Sequence, residues 1–331
     1  MGRVRIGLIG CGKIAACSHA PEFLKILRKA VITGLFDPKE ESARKIKSDL
    51  KLKADIFDSA ERLLSSGVDG VVISSPNSLH HSLTMTALKA GVSVLVEKPM
   101  SVTLDEASEM IALAKKKKLV LQVNQSLRFS PVYVKIKELI DAGKIGSPLY
   151  IRCLRAGATS PDKGWSPGAK WFTQKKFAGG IIMDIAVHMA DMMGWYFGKV
   201  TQVFSVNSSK IKGNDVPDNV TAVFSFENGA TGQLNLSWTN PVGGGLLEIY
   251  GDKGAIRLGF NPDGLELASA PGKFKIVKPG KAKTSQEWFA DSINGKPGCP
   301  VPGEVGLHAL ALCMALAESG ETGKPVKNFM R

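Results

Sequence analysis

The chain has 331 residues, 44% hydrophobic and 22% charged, the make-up of an ordinary globular protein long enough for two domains. Its net charge of +13 favours anionic ligands, yet the basic residues are scattered, without the aromatic interleaving or zinc spacing of a nucleic-acid reader. Five cysteines (Cys11, Cys17, Cys153, Cys299, Cys313) form no C-x-x-C pair, which argues against a disulfide framework and for reduced thiols in a cytoplasmic protein.

The first strand, starting at Val4, leaves no room for a signal peptide, and the apolar stretch from Leu307 to Ala317 is too short to span a bilayer. That strand runs into Gly10-Cys11-Gly12-Lys13-Ile14-Ala15 and then a helical pattern. Gly10 permits a tight turn, Gly12 lets backbone N–H groups approach a pyrophosphate, and the small Ala15 lets helix pack on strand. The free amides and positive dipole end of the helix start, at Cys11, Lys13 and Ile14, suit phosphates. A second strand, Val31 to Phe36, ends at Asp37, about 20 residues beyond the glycines, where a carboxylate binds the adenosine ribose. The plainer reading is an α/β turn with Asp37 capping the next helix. A carboxylate here favours NAD; Lys39 and Arg44 close behind keep NADP as the alternative cofactor.

Strands at Ile56-Phe57, Val71 to Ile73, Val94 to Val96 and Leu119 to Val123 follow, separated by helical patterns with Ser78 and Thr103 as N-caps. Residues 1–124 therefore read as a doubly wound parallel sheet, a Rossmann-type domain. Ligands collect beyond the carboxyl ends of such strands, which places three segments at a site: Ser75, Pro76, Asn77 and His80 after the fourth strand, Glu97-Lys98-Pro99 after the fifth, and Asn124 with Arg128 after the sixth. The Lys98 ammonium could polarise a substrate oxygen or orient the nicotinamide, with Glu97 pairing to it or to the cofactor. Asn124 offers both donor and acceptor, and Arg128 either binds an anion or braces the domain junction.

From about Pro148 longer strands and hairpin turns at Asn228-Gly229 and Lys253-Gly254 indicate an antiparallel sheet, assigning 125–331 to a second, α+β domain. A helix over roughly 180–196 follows Gly179-Gly180 and carries Asp184 and His188, four apart and so on one α-helical face. Imidazole is the natural proton acceptor near neutral pH, with Asp184 steadying it and Asp191 in structural support. An ordinary surface ion pair has the same spacing. A last helix near 305–319 is expected to pack back on the first domain. No metal site is expected.

In order and spacing these motifs resemble the glucose-fructose oxidoreductase, inositol dehydrogenase and MocA family (Gfo/Idh/MocA): Gly10-x-Gly12-x-x-Ala15, Asp37, Pro76-Asn77-x-x-His80, Glu97-Lys98-Pro99, Asn124-x-x-x-Arg128-Phe129 and Gly179-Gly180-x-x-x-Asp184-x-x-x-His188. The resemblance implies a Rossmann domain, a second domain with a large open, mainly antiparallel sheet, and a homodimer or homotetramer formed through it. It implies Lys98, Asp184 and His188 as the catalytic group, and Trp171 as a pocket residue. Two departures stand out: Phe172 where many relatives carry arginine, and Ala186 in place of a common glycine. The expected activity is NAD(P)-dependent oxidation of a secondary alcohol on a sugar, polyol or sugar derivative, the substrate touching Lys98, Asn124, Arg128, Trp171, Asp184 and His188. Two rivals are a glycoside hydrolase or lyase using transient oxidation by held NAD, and a non-catalytic dinucleotide sensor. Neither a nucleic acid nor a membrane is an expected partner.

Overall fold

A computed structural model describes residues 2–259, 264–327 and 329. The chain divides into two compact units, Met1–Gln125 with Lys283–Leu307, and Ser126–Ala282 with His308–Arg331.

The first unit is built on a parallel sheet: β1 (Val4–Ile9), β2 (Ala30–Phe36), β3 (Asp55–Ile56), β4 (Gly70–Ile73), β5 (Ser93–Glu97) and β6 (Leu121–Asn124), in the order β3-β2-β1-β4-β5-β6. Helices α1 (Ala20–Lys25), α2 (Glu40–Asp49), α3 (Ala60–Leu64), α4 (His80–Lys89) and α5 (Leu104–Lys117) connect them. Strands covered on both faces must be apolar throughout, and every residue of β4 is buried. Thr103 caps α5 in a full capping box with Glu106, as the sequence predicts, an arrangement worth about 1 kcal/mol. Ser78 does not cap α4: it lies in a short 3₁₀ turn, and α4 begins at His80 with no side-chain cap. The strand order reverses between β1 and β4, so the ligand crevice of this topology opens beyond their carboxyl ends.

The second unit carries α6 (Pro131–Asp141), β7 (Pro148–Ala156), α7 (Val187–Phe197), β8 (Val200–Ser208), β9 (Asn219–Phe226), β10 (Thr231–Ser237), β11 (Gly244–Gly251), β12 (Gly254–Leu258), β13 (Leu265–Ser269) and β14 (Lys275–Ile276). With β15 (Val326–Lys327) the strands form one sheet, β14-β13-β12-β11-β7-β10-β9-β8-β15, in which β7 and β10 run parallel and the other neighbours antiparallel. Alternate residues such as Val220, Ala222 and Phe224 face a core shared with Ile136 of α6 and Val187 and Met193 of α7.

Two late segments bear on the domain division read from the sequence. Residues 283–307, read as part of the second domain, belong to the first unit. There α8 (Ser285–Ile293) inserts Phe289 and Ala290 beside Phe23 and Ala30. The last helix, α9 (Gly303–Thr322), keeps only its opening turn in that unit, where Gly303 and Gly306 sit on Leu121 and Val123. In its body Ala309, Leu312, Cys313 and Leu316 complete the second core.

One ionic cluster secures α8. The Asp291 carboxylate, with a 3% exposed side chain, lies 2.8 Å from the Lys283 ammonium and 3.1 Å from those of Lys29 and Lys296. Burial alone would raise its carboxyl, but the three lysines hold it well below the usual carboxylate range. The lysines reach solvent, so Asp291→Ala is expected to cost about 2 kcal/mol, less than the loss of a fully buried pair. A depressed folded value stabilises above the unfolded one. In denaturant titrations the gap between wild type and variant should therefore be full at neutral pH and shrink below about pH 4. A gap that widens with acid would contradict this.

Candidate active site

The turn after β1 is shaped by a close approach. Gly10 has φ +91°, and a Cβ there would lie 2.7 Å from the Ser74 carbonyl oxygen, so no other residue fits. The Ser74 hydroxyl donates to the Gly10 carbonyl at 2.9 Å, tying the ends of β1 and β4 together at the reversal point. Gly12 is different. Its φ is unexceptional, and an added Cβ would meet nothing within 4 Å among the described residues. Nothing in the fold demands glycine here, which leaves the approach of a ligand as the reason for it.

The Asp37 carboxylate is oriented by two backbone donors, the N–H of Cys11 and that of Lys39, each at 2.8 Å. Each oxygen keeps lone-pair capacity for a hydroxyl. The Cys11 amide, expected to suit a phosphate, donates to Asp37, and the buried Cys11 thiol faces the Phe36 carbonyl. Burial and the Asp37 charge push that thiol up to about 12. A cavity of about 450 Å³ is lined by the charged Asp37, Glu40, Asp58 and Arg62 and by Pro38, Ile56 and Phe57, a slot that sets a small apolar patch among mostly acidic side chains. Of the nearby cations, Arg44 pairs with Glu40 and Arg62 with Asp58 at the surface. Lys13 and Ile14 open the helix, whose next turn, Ala15–His19, is π-helical before α1 continues it. Glycine turn, helix start, held carboxylate and slot fit a dinucleotide.

Beyond β4 and β5 the expected contact residues divide. Ser75, Pro76 and Asn77 lie in the loop and turn that follow β4. His80 is 1% exposed, and its ring nitrogens lie 2.7 Å from the Pro99 carbonyl and 2.9 Å from that of Ser75. It braces the two loops, and burial pushes the imidazole down. Glu97 is also buried: its Oε1 accepts from His19 Nε2 at 2.8 Å and Asn124 Nδ2 at 2.6 Å, and its Oε2 accepts the Lys98 N–H at 3.2 Å. Burial would raise this carboxyl, but the bonds from His19 and Asn124 and the Lys98 charge hold it below the ordinary range. Glu97 and Asn124 thus face each other across the ends of β5 and β6. Lys98 stands at the strand end.

In the second unit, the double glycine has a packing cause. A Cβ on Gly179 would fall 2.5 Å from the Phe172 carbonyl oxygen, and the Gly180 N–H donates to that same oxygen at 2.7 Å. The turn bearing Trp171 is thereby docked at the start of the helix bearing Asp184. Trp171 stacks on Phe172 at 3.7 Å, so Phe172 supports the indole. The predicted helix is not uniform: residues 182–186 form a π-helical turn in which the Val187 N–H reaches Ile182. Asp184 is buried within that turn, and His188, half-buried, is in the first turn of α7. The wider turn alters the simple four-residue face that the spacing suggests, and such turns favour functional positions. Arg128 has a partner within its own unit. It forms a bidentate pair with Asp191, both bonds 2.8 Å, with its guanidinium 5.2 Å from the Trp195 ring centre.

Gly12→Ala tests the cradle. The unfolding midpoint is expected within about 2 °C of wild type, since the substitution touches no protein atom, while NAD affinity by titration calorimetry falls at least about tenfold. Unchanged affinity would contradict the assignment.

Comparison with known proteins agrees with this geometry. Residues 4–125 match the model of the oxidoreductase family with an NAD-binding Rossmann fold, and residues 133–257 match the GFO/IDH/MocA C-terminal domain. The chain is 27% identical to scyllo-inositol 2-dehydrogenase (NAD(+)) of Bacillus subtilis, over 98% of this chain and 96% of that protein. It is 31% identical to myo-inositol 2-dehydrogenase of Thermotoga maritima, over 76% and 74% respectively. A solved oxidoreductase from Thermotoga maritima superposes with a TM-score of 0.87 at 26% identity, covering 98% of each chain. The transient-oxidation alternative draws no support from these relatives. Turn, held carboxylate, strand order and matched domains together make this chain an NAD-binding oxidoreductase of the Gfo/Idh/MocA family.

Proposed function

We propose that the protein is a dehydrogenase that oxidises a secondary alcohol of a polyol or sugar, with inositols the first substrates to test. The observation that carries this reading is Lys98. It leaves the carboxyl end of β5, in the unit holding the dinucleotide cradle, with its backbone fixed by a buried carboxylate. The relatives named as inositol dehydrogenases support the substrate class.

When bound, the nicotinamide supplies the two-electron acceptor. His188 takes the hydroxyl proton as the alcohol is oxidised, the task an imidazole performs best near neutral pH. Lys98 stabilises the negative charge growing on that oxygen, an effect strengthened where water is excluded. Asp184 orients the imidazole or an adjacent hydroxyl, and Trp171 offers a flat apolar wall to the ring. The Asp37 carboxylate, with Glu40 and Asp58 nearby, selects NAD over NADP.

Turnover followed at 340 nm with myo-inositol, scyllo-inositol and D-glucose, each with NAD and NADP, reads this directly. We expect one polyol to be oxidised with NAD at least about tenfold faster than with NADP, from charge repulsion of about 1.4 kcal/mol or more. Lys98→Met and His188→Asn should each lower kcat at least about a hundredfold while leaving the unfolding midpoint near wild type. Wild-type turnover in Lys98→Met would remove Lys98 from the reaction.

We also propose a cytoplasmic homo-oligomer joined through the open face of the second sheet. Register places Phe204, Val206, Thr221, Val223 and Gln233 on one face, where Val206 is 61% and Val223 50% exposed. Light scattering should give a dimer or tetramer; a monomer at micromolar concentration would contradict this.

A further inference from the structure

The buried His19 plays no part in the chemistry described above, although it is completely enclosed and lies at the centre of a polar network. It closes the π-helical turn that follows the phosphate-binding turn. Its Nε2 is 2.8 Å from Glu97 Oε1, and its Nδ1 is 2.8 Å from Gln286 Nε2. Gln286, on α8, is 3% exposed, and Asn124, the second donor to Glu97, is 4% exposed. An ionised Glu97 requires a donor at Nε2. A neutral ring then presents Nδ1 as an acceptor, which the Gln286 amide fills. Each contact has a matching donor and acceptor, the condition under which a buried polar network rigidifies its surroundings.

We infer that His19 is a positioning residue for the reaction: it fixes the Glu97 carboxylate, whose other oxygen holds the Lys98 N–H and so sets the direction in which the lysine leaves β5. The inference rests on the proposed role of Lys98. It also makes the helix that receives the cofactor phosphates and the loop that presents the ammonium parts of one rigid assembly. A displacement of about 1 Å at Lys98 would suffice to slow the reaction about a hundredfold. Removal of His19 therefore acts on turnover, while the glycine turn and Asp37, which hold the dinucleotide, stay in place.

The test uses His19→Leu, which removes the donor, and His19→Gln, whose amide nitrogen can occupy the position of Nε2. Both are assayed with NAD and myo-inositol, or whichever polyol in the screen turns over fastest, and NAD binding is titrated separately. The expected result for His19→Leu is a kcat about 10- to 100-fold below wild type with the Kd for NAD within about threefold, and for His19→Gln a kcat restored to within about threefold. Three results overturn the inference: wild-type kcat in His19→Leu, parallel loss of kcat and NAD affinity, or His19→Gln as impaired as His19→Leu. Should His19→Leu fail to fold, the nearly isosteric Glu97→Gln decides on the same split. Its amide cannot both accept from His19 and Asn124 and accept from Lys98, so kcat falls with NAD binding retained; wild-type kcat or parallel loss overturns the inference. Lys98→Met measured alongside separates the two claims. An active Lys98→Met defeats the reading of the lysine itself, whereas an inactive Lys98→Met beside a fully active His19→Leu defeats only the role of His19.

Discussion

A carboxylate buried at the end of a parallel strand must either be neutral or be surrounded by donors, and Glu97 is surrounded. His19, Asn124 and the Lys98 amide supply its hydrogen bonds, and Gln286 completes the shell around His19. The four side chains come from the end of β5, the end of β6, the helix after β1 and α8, so satisfying one charge fixes the relative positions of four elements. This also explains why a segment as late in the chain as 283–307 belongs with the first unit: it contributes Gln286 to the network and Phe289 to the core.

The same economy governs the dinucleotide turn. Asp37 must present a carboxylate to a ribose, and it does so because the Cys11 and Lys39 amides already hold its two oxygens in place. The two glycines of the turn have distinct causes. Gly10 is required by the protein, since Ser74 leaves no space for a Cβ, whereas a Cβ on Gly12 would meet none of the described residues. In both units the helix nearest the expected chemistry contains a π-helical turn, Ala15–His19 in one and Ile182–Ala186 in the other. Each places a buried polar residue, His19 or Asp184, inside the wider turn.

Much of this was legible in the chain itself. The apolar strands of the first unit, the glycine turn, Asp37 and the motifs at the strand ends are local signals, and they fell where periodicity and spacing predict. What the chain does not disclose locally is long-range pairing. Nothing local marks His19 as the partner of Glu97, 78 positions later, or Gln286 as the partner of His19, 267 positions later. Glu97, Asn124, His80 and Arg128 read as ligand contacts from their places at strand ends, and that position carries no sign of their bonds within the protein. Their partners proved to be one another, two backbone carbonyls and Asp191. The short strands β12 to β15 lack a distinctive pattern, and α9 has apolar residues on too many sides to disclose which core it would join.

A crystal structure of the protein with NAD bound tests the central claim most directly. The account predicts the diphosphate over Gly12 and the amides of Lys13 and Ile14, the adenosine ribose on Asp37, and the nicotinamide ring beside the Lys98 ammonium, with Glu97 still enclosed by His19 and Asn124. A nicotinamide lying away from Lys98, or a Glu97 carboxylate turned out of its network onto the cofactor, would contradict it.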